Sequence, residues 1–167
     1  LAFVGRFTGQ PTSPLYEIGT INGGRGDTVR TSPGQAWNAK IGAAFAERAF
    51  ASFSYTDTGR MGPADKAALL IADIGDAPAG ATSWNRKAWE ANLRWNYGPT
   101  GVRPMMPSED LPPYMVGAAY GRFDDSIAGA ANRKGDFWLM EGLYSIPNSL
   151  FFAASRYSRV SLDDGAL

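Results

Sequence analysis

The stretch KAWEANLRWNYG, residues 87–98, constrains the fold more than any other part of the chain. Trp89, Ala91, Leu93, Trp95 and Tyr97 fall on every second position, with Glu90, Asn92, Arg94 and Asn96 between them. Successive side chains of an extended strand point to opposite faces, whereas a helix would scatter the same residues around its circumference. The spacing therefore predicts a strand with one apolar, aromatic face and one charged or amide face. Which solvent meets each face decides what the chain is.

The same period of two recurs along the chain. It predicts strands over about 1–9, 14–20, 36–45, 49–56, 88–97, 114–123, 136–146 and 150–161. The 167 residues suit one domain, 1–167. Gly and aromatic residues are frequent and the charged fraction is only 19%, which fits an all-β antiparallel protein better than a helical bundle.

Two hairpins can be registered by keeping apolar faces together. A three-residue turn, Ala46-Glu47-Arg48, pairs Phe45 with Ala49, Ile41 with Phe53 and Ala39 with Tyr55. A two-residue turn, Pro147-Asn148, pairs Tyr144 with Phe151, Gly142 with Ala153 and Trp138 with Tyr157. Glu141 and Arg156 then share the other face.

One segment departs from the period. GPADKAALLIADIG, 62–75, carries Pro63 near its start, Leu70, Ile71 and Ile74 at helical spacing, and a closing Gly75. It predicts a short helix inside a long loop, 57–86, that either constricts a pore or caps its mouth. Alternating strand direction places the long connections 21–35, 57–86 and 124–135 at one end of the sheet. The short turns at 10–13, 46–48 and 147–148 fall at the other. The Pro-rich connection 98–113 breaks this pattern.

Equal numbers of basic and acidic residues, 16 each, give no positive excess for nucleic acid. The chain has no Cys and no His, so thiol and imidazole chemistry are excluded and no cofactor is expected. Asp57-Thr58-Gly59 reads as a hairpin end, because carboxylate protease chemistry needs two aspartates sharing a proton. Arg25-Gly26-Asp27 reads as ordinary turn composition. Asp124-Asp125 and Asp163-Asp164 read as solvated loop carboxylates without Ca²⁺ spacing. Glu90 and Glu141 have no nucleophile arranged around them, so the chain is expected not to be an enzyme.

Two readings of the faces stay open. In a soluble β-sandwich the apolar faces would meet in a core. In a membrane barrel they would meet lipid. No apolar run approaches the ~20 residues of a spanning helix, but a barrel strand needs only about 9–11 alternating residues. Residues 89 to 97 span about 27 Å, near the ~25 Å apolar band that aromatic girdles bracket in outer-membrane barrels. The aromatic set is Trp37, Phe53, Tyr55, Trp89, Trp95, Tyr97, Trp138, Tyr144 and Tyr157, expected to face lipid. Between them the apolar faces are often small (Ala39, Ala43, Ala51, Ala91), where a soluble core would need bulk. Lys40, Glu90, Arg94, Glu141 and Arg156, on the reverse faces, are expected to line a lumen whose mixed signs give weak ion selectivity.

FWLMEGLYSIPNSLFFAASRYSRV, 137–160, resembles the paired strands of bacterial outer-membrane porins. AWEANLRWNYG (88–98) and YMVGAAYGRFDDS (114–126) share the resemblance. It implies an up-and-down transmembrane β-barrel, commonly of 16 or 18 strands and often trimeric. Such a barrel passes small hydrophilic solutes across the outer membrane, with lipid as its other partner. Eight predicted strands are half such a barrel, and SLDDGAL lacks the aromatic terminal residue usual in the family. The chain starts at Leu1 without Met, so it is expected to be a processed chain or part of a longer one. Eight strands closed on themselves would instead make an anchor or adhesin with a filled interior.

Overall fold

Residues rich in aromatic and β-branched side chains at period two form strands because both faces then find a uniform environment. A computed structural model describes residues 2–7, 14–21, 36–45, 48–65, 77, 79–96, 113–146 and 151–163. Eight strands are present: β1 (Ala2–Arg6), β2 (Leu15–Ile21), β3 (Ala36–Phe45), β4 (Ala49–Asp57), β5 (Ser83–Trp95), β6 (Tyr114–Ala128), β7 (Arg133–Ser145) and β8 (Phe152–Leu162). They form one antiparallel sheet in the order β1-β2-β3-β4-β5-β6-β7-β8. Every strand pairs with its sequence neighbours, so the topology is up-and-down throughout. β1 and β8 make no contact, and the sheet is open.

The β3–β4 hairpin has the predicted register: Phe45 is opposite Ala49, Ile41 opposite Phe53 and Ala39 opposite Tyr55. The β7–β8 hairpin does not. Tyr144 pairs with Ala153, Gly142 with Ser155 and Trp138 with Arg159, two residues beyond the predicted partners. The last described bond between the strands joins the Ile146 N–H to the Phe151 carbonyl at 3.0 Å, which excludes the two-residue connection 147–148; residues 147–150 lie outside the described residues. The slip is even, so every side chain keeps its predicted face. It sets Glu141 directly opposite Arg156, an opposite-charge pair that the shorter turn would have lost. Trp138 still meets Tyr157 diagonally, with ring centroids 5.1 Å apart.

The connection predicted over 124–135 shrinks to 129–132. Asp124, Asp125, Arg133 and Lys134 look like loop residues, yet they are strand residues paired by register: Asp124 with Lys134 and Asp125 with Arg133. Opposite charges facing one another across strands stabilise extended backbone that neither would favour alone. Gly129, at φ 90°, makes the turn, and the Asn132 side-chain oxygen accepts the Ile127 N–H at 2.9 Å. β5 likewise begins at Ser83, inside the predicted 57–86 loop, because 58–61 continues alongside it. The Thr58 N–H bonds the Arg86 carbonyl, and Met61 bridges to Trp84.

β5 ends at Trp95, before Tyr97. Asn96 adopts φ 61°, a left-handed conformation that Asn tolerates and that stops a strand. Its N–H donates to the Arg48 carbonyl at 2.7 Å, and its amide donates to the Tyr114 carbonyl at 3.1 Å. Among the described residues there is no helix. Residues 62–65 of the expected 62–75 helix include a turn, and 66–76 lie outside the described residues. Arg25-Gly26-Asp27, Tyr97 and most of 98–113 lie outside them too.

Candidate functional site

Register sorts the side chains into two faces. One carries Trp37 on β3, Phe53 and Tyr55 on β4, Trp89 and Trp95 on β5, Trp138 and Tyr144 on β7, and Tyr157 on β8. Ring contacts run across the strands: Trp37–Tyr55 at 5.1 Å, Phe53–Trp89 at 5.9 Å and Trp89–Tyr120 at 5.6 Å between centroids. Below this belt the face is Ile41, Ala43, Ala51, Ala91, Leu93, Ala118 and Met140, enclosing a shallow apolar groove of about 800 Å³. Trp95, Tyr114 and Tyr144 form a second aromatic level. Tyr114 and Tyr120 are about 20 Å apart along β6 at 3.3–3.4 Å per residue, and their rings extend the span at both ends.

All five residues predicted to line a lumen share the opposite face. Lys40, Ser54 and Glu90 stand in one row across β3, β4 and β5. Arg94, Gly117, Glu141 and Arg156 stand in another across β5 to β8. Along β5, Arg94 Nε donates to Asn92 Oδ1 at 3.1 Å, and Asn92 Nδ2 donates to Glu90 Oε1 at 3.2 Å. Gly117 makes room between Arg94 and Glu141; a Cβ there would lie 3.1 Å from the Glu141 side chain.

This face is not polar throughout. Ala119, Phe123, Phe137 and Leu139 form a buried cluster on it, with Ala88 and Val160 packed alongside. The rings lie flat over glycines on the neighbouring strand. Phe137 covers Gly121, and Phe123 covers Gly135, where a Cβ would come within 2.9 Å of the ring. Only glycine permits that approach, and the aromatic ring in turn shields the bare glycine backbone.

Above the aromatic belt the aromatic face turns polar. The aromatic face now carries Asp57, Lys87, Asp124 and Lys134 side by side, alternating in sign. Lys134 bonds Asp124 at 2.9 Å, and Arg122, one row below, bonds Asp163 at 2.9 Å. The reverse face carries buried Trp84, Arg86 and Asp125. Arg86 meets Asp125 through two bonds, Nε at 2.6 Å and Nη2 at 2.8 Å, and Arg133 adds a third at 2.8 Å. Its guanidinium lies 5.4 Å from the Trp84 ring and 4.8 Å from that of Phe123. Such bidentate, stacked packing lets an arginine be buried.

Asp125 is thus a buried ion-pair acceptor, not the solvated loop carboxylate its sequence neighbourhood predicts. The register hides it: only after β6 and β7 are extended do Arg86, Asp125 and Arg133 fall in one row. The Asp57-Thr58-Gly59 triplet ends β4 as predicted. The Asp57 carboxylate accepts the Gly59 N–H and the Asn85 amide, both at 2.8 Å, and the Thr58 hydroxyl accepts the Arg86 N–H at 2.8 Å.

The class these features define is an open, eight-stranded antiparallel meander with a charged face and an aromatic face that turns polar along the strands. Comparison of the chain with protein-family models, curated proteins and solved structures finds no match.

Proposed function

We propose that these strands form wall of a porin-like β-barrel in the bacterial outer membrane, through which small hydrophilic solutes diffuse without chemistry. The carrying observation is the exchange of polarity along β5. Trp95, low on β5, is 39% exposed on the aromatic face, whereas Trp84, high on the same strand, is 2% exposed on the reverse face. A strand in uniform water keeps its apolar residues on one face throughout. A strand that passes from water into lipid turns its apolar side outward over the lipid-covered length. The ladder Asp57, Lys87, Asp124, Lys134 then lies at and above the headgroups, with the aromatic belt beneath it.

A soluble sandwich needs a second sheet over the aromatic face. The described strands make one sheet, and Phe53, Trp95 and Tyr157 on that face are exposed. A closed eight-stranded anchor needs β1 against β8. The two do not touch, which favours a wider barrel completed by further strands. Outer-membrane lipid and small solutes are its partners, and a homotrimer is the assembly the resemblance implies. The purified chain is expected to need detergent and to give conductance steps in planar bilayers. Solubility without detergent overturns the membrane reading, and a membrane-inserted protein without steps overturns the channel.

A further inference from the structure

One row of the charged face has a gap in it. Arg94, Gly117, Glu141 and Arg156 stand side by side on β5 to β8. Along this stretch β6 gives the face Met115, Gly117, Ala119, Gly121 and Phe123, so it sets no charge between Arg94 and Glu141. Two strand spacings, about 9–10 Å, separate the backbones of those two residues. Glu141 does not stand straight off its strand. A Cβ at Gly117 would lie 3.1 Å from both Glu141 Cγ and Glu141 Oε1, whereas directly opposed residues keep even their Cβ atoms about 4.5–5.5 Å apart. The stem and one carboxylate oxygen therefore lean over β6, toward the Arg94 side and away from β8. The neighbouring glycines of this face, Gly121 and Gly135, are roofed by buried phenylalanine rings. At Gly117 the roof is a half-buried carboxylate.

We infer that Gly117 is a positioning residue of the proposed passage: its bare Cα is the saddle that holds the Glu141 carboxylate over β6, facing Arg94. The saddle stands on these contacts alone, while its effect on ions rests on the channel reading. A side chain at 117 fills the space of Glu141 Cγ and Oε1, so the carboxylate must swing back toward β8 and Arg156, its direct cross-strand neighbour. The row then keeps its charges and changes where the negative one stands. Low-dielectric walls focus the field of the groups that line them, so a displaced carboxylate registers in ion passage.

The test is a double-mutant cycle between Arg94→Gln and Glu141→Gln, read in denaturant unfolding of the full chain in detergent micelles, with Gly117 and with Gly117→Val. Valine suits an extended strand. With Gly117 the two changes should be coupled by at least about twofold in the unfolding equilibrium constant. With Gly117→Val that coupling should vanish, and the coupling of Glu141 with Arg156 should persist. A glycine needed only for packing would lower stability and leave both couplings as they were. Should Gly117→Val fail to fold, Gly117→Ala, which asks Glu141 to give by a few tenths of an ångström, should reduce the Arg94 coupling. In planar bilayers Gly117→Val should shift the reversal potential across a potassium chloride gradient, and adding it to Glu141→Gln should shift it no further. No coupling between Arg94 and Glu141 in the wild type overturns this inference, and so does coupling that survives every substitution at 117. Coupling without any conductance overturns the channel reading and leaves the saddle standing.

Discussion

Two lengths of β5 obey opposite rules. From Trp84 to Lys87 the charged face holds buried Trp84 and Arg86, while Asn85 and Lys87 stand on the other face. From Trp89 to Trp95 that other face holds Trp89, Ala91, Leu93 and Trp95, while Glu90, Asn92 and Arg94 take the reverse. The alternation never slips; its polarity does. The aromatic face of β6 and β7 turns polar at the same level, since Arg122 and Asp124 follow Tyr120, and Lys134 and Asp136 precede Trp138, while their reverse face is apolar below it at Ala119, Phe137 and Leu139. A level shared by three strands is a property of the surroundings, not of one strand. The upper length buries its large side chains on the charged face, and the lower length exposes apolar side chains on the aromatic face.

Mutations in the two lengths should therefore differ in kind. The largest effect is expected at Asp125. Asp125→Ala leaves Arg86 and Arg133 without their carboxylate, and breaking a buried pair costs about 3–5 kcal/mol. Denaturant unfolding should show it, and a loss near zero would mean that the row is solvated. Next comes Leu93→Arg, which under the proposed barrel function would place a charge against lipid at a cost of about 2–4 kcal/mol near a bilayer midplane. Ser126→Arg, at an exposed position on the same face above the belt, should stay within about 0.5 kcal/mol. Equal costs in lipid vesicles would erase the distinction between the two lengths.

Gly121→Ala should cost at least about 1–3 kcal/mol, because the new methyl meets the Trp89 carbonyl of the neighbouring strand as well as the Phe137 ring. The paired change Gly121→Ala with Phe137→Leu should recover little of it, because the contact with the Trp89 carbonyl remains. The smallest effect is Lys134→Ala. Its bond to Asp124 is exposed, and such pairs are worth about 0–1 kcal/mol. Raising the salt should weaken that contribution further and leave the Asp125 effect nearly unchanged.

The strands and their faces were legible early because period-two alternation is local. β3 and β4 fall where the pattern of Trp37 to Tyr55 puts them, and the three-residue turn follows from keeping Ile41 beside Phe53. Lys40, Glu90, Arg94, Glu141 and Arg156 sort onto one face for the same reason. The β7–β8 register was less legible. Face-matching cannot separate alignments that differ by two residues, and the choice fell to the Glu141–Arg156 pair and the longer turn. The tops of β5, β6 and β7 are not legible in the sequence because Asp124, Asp125, Arg133 and Lys134 have loop composition, and only their cross-strand partners make them strand.

Alternation in the sequence by itself determined an antiparallel, two-faced sheet, because each residue's face depends only on its parity. Tertiary structure alone decided that Arg86, Asp125 and Arg133 meet, that phenylalanines cover Gly121 and Gly135, and that the aromatic face turns polar at one common level. Those features depend on which residues stand side by side on different strands, and register is set by long-range pairing that no single strand contains.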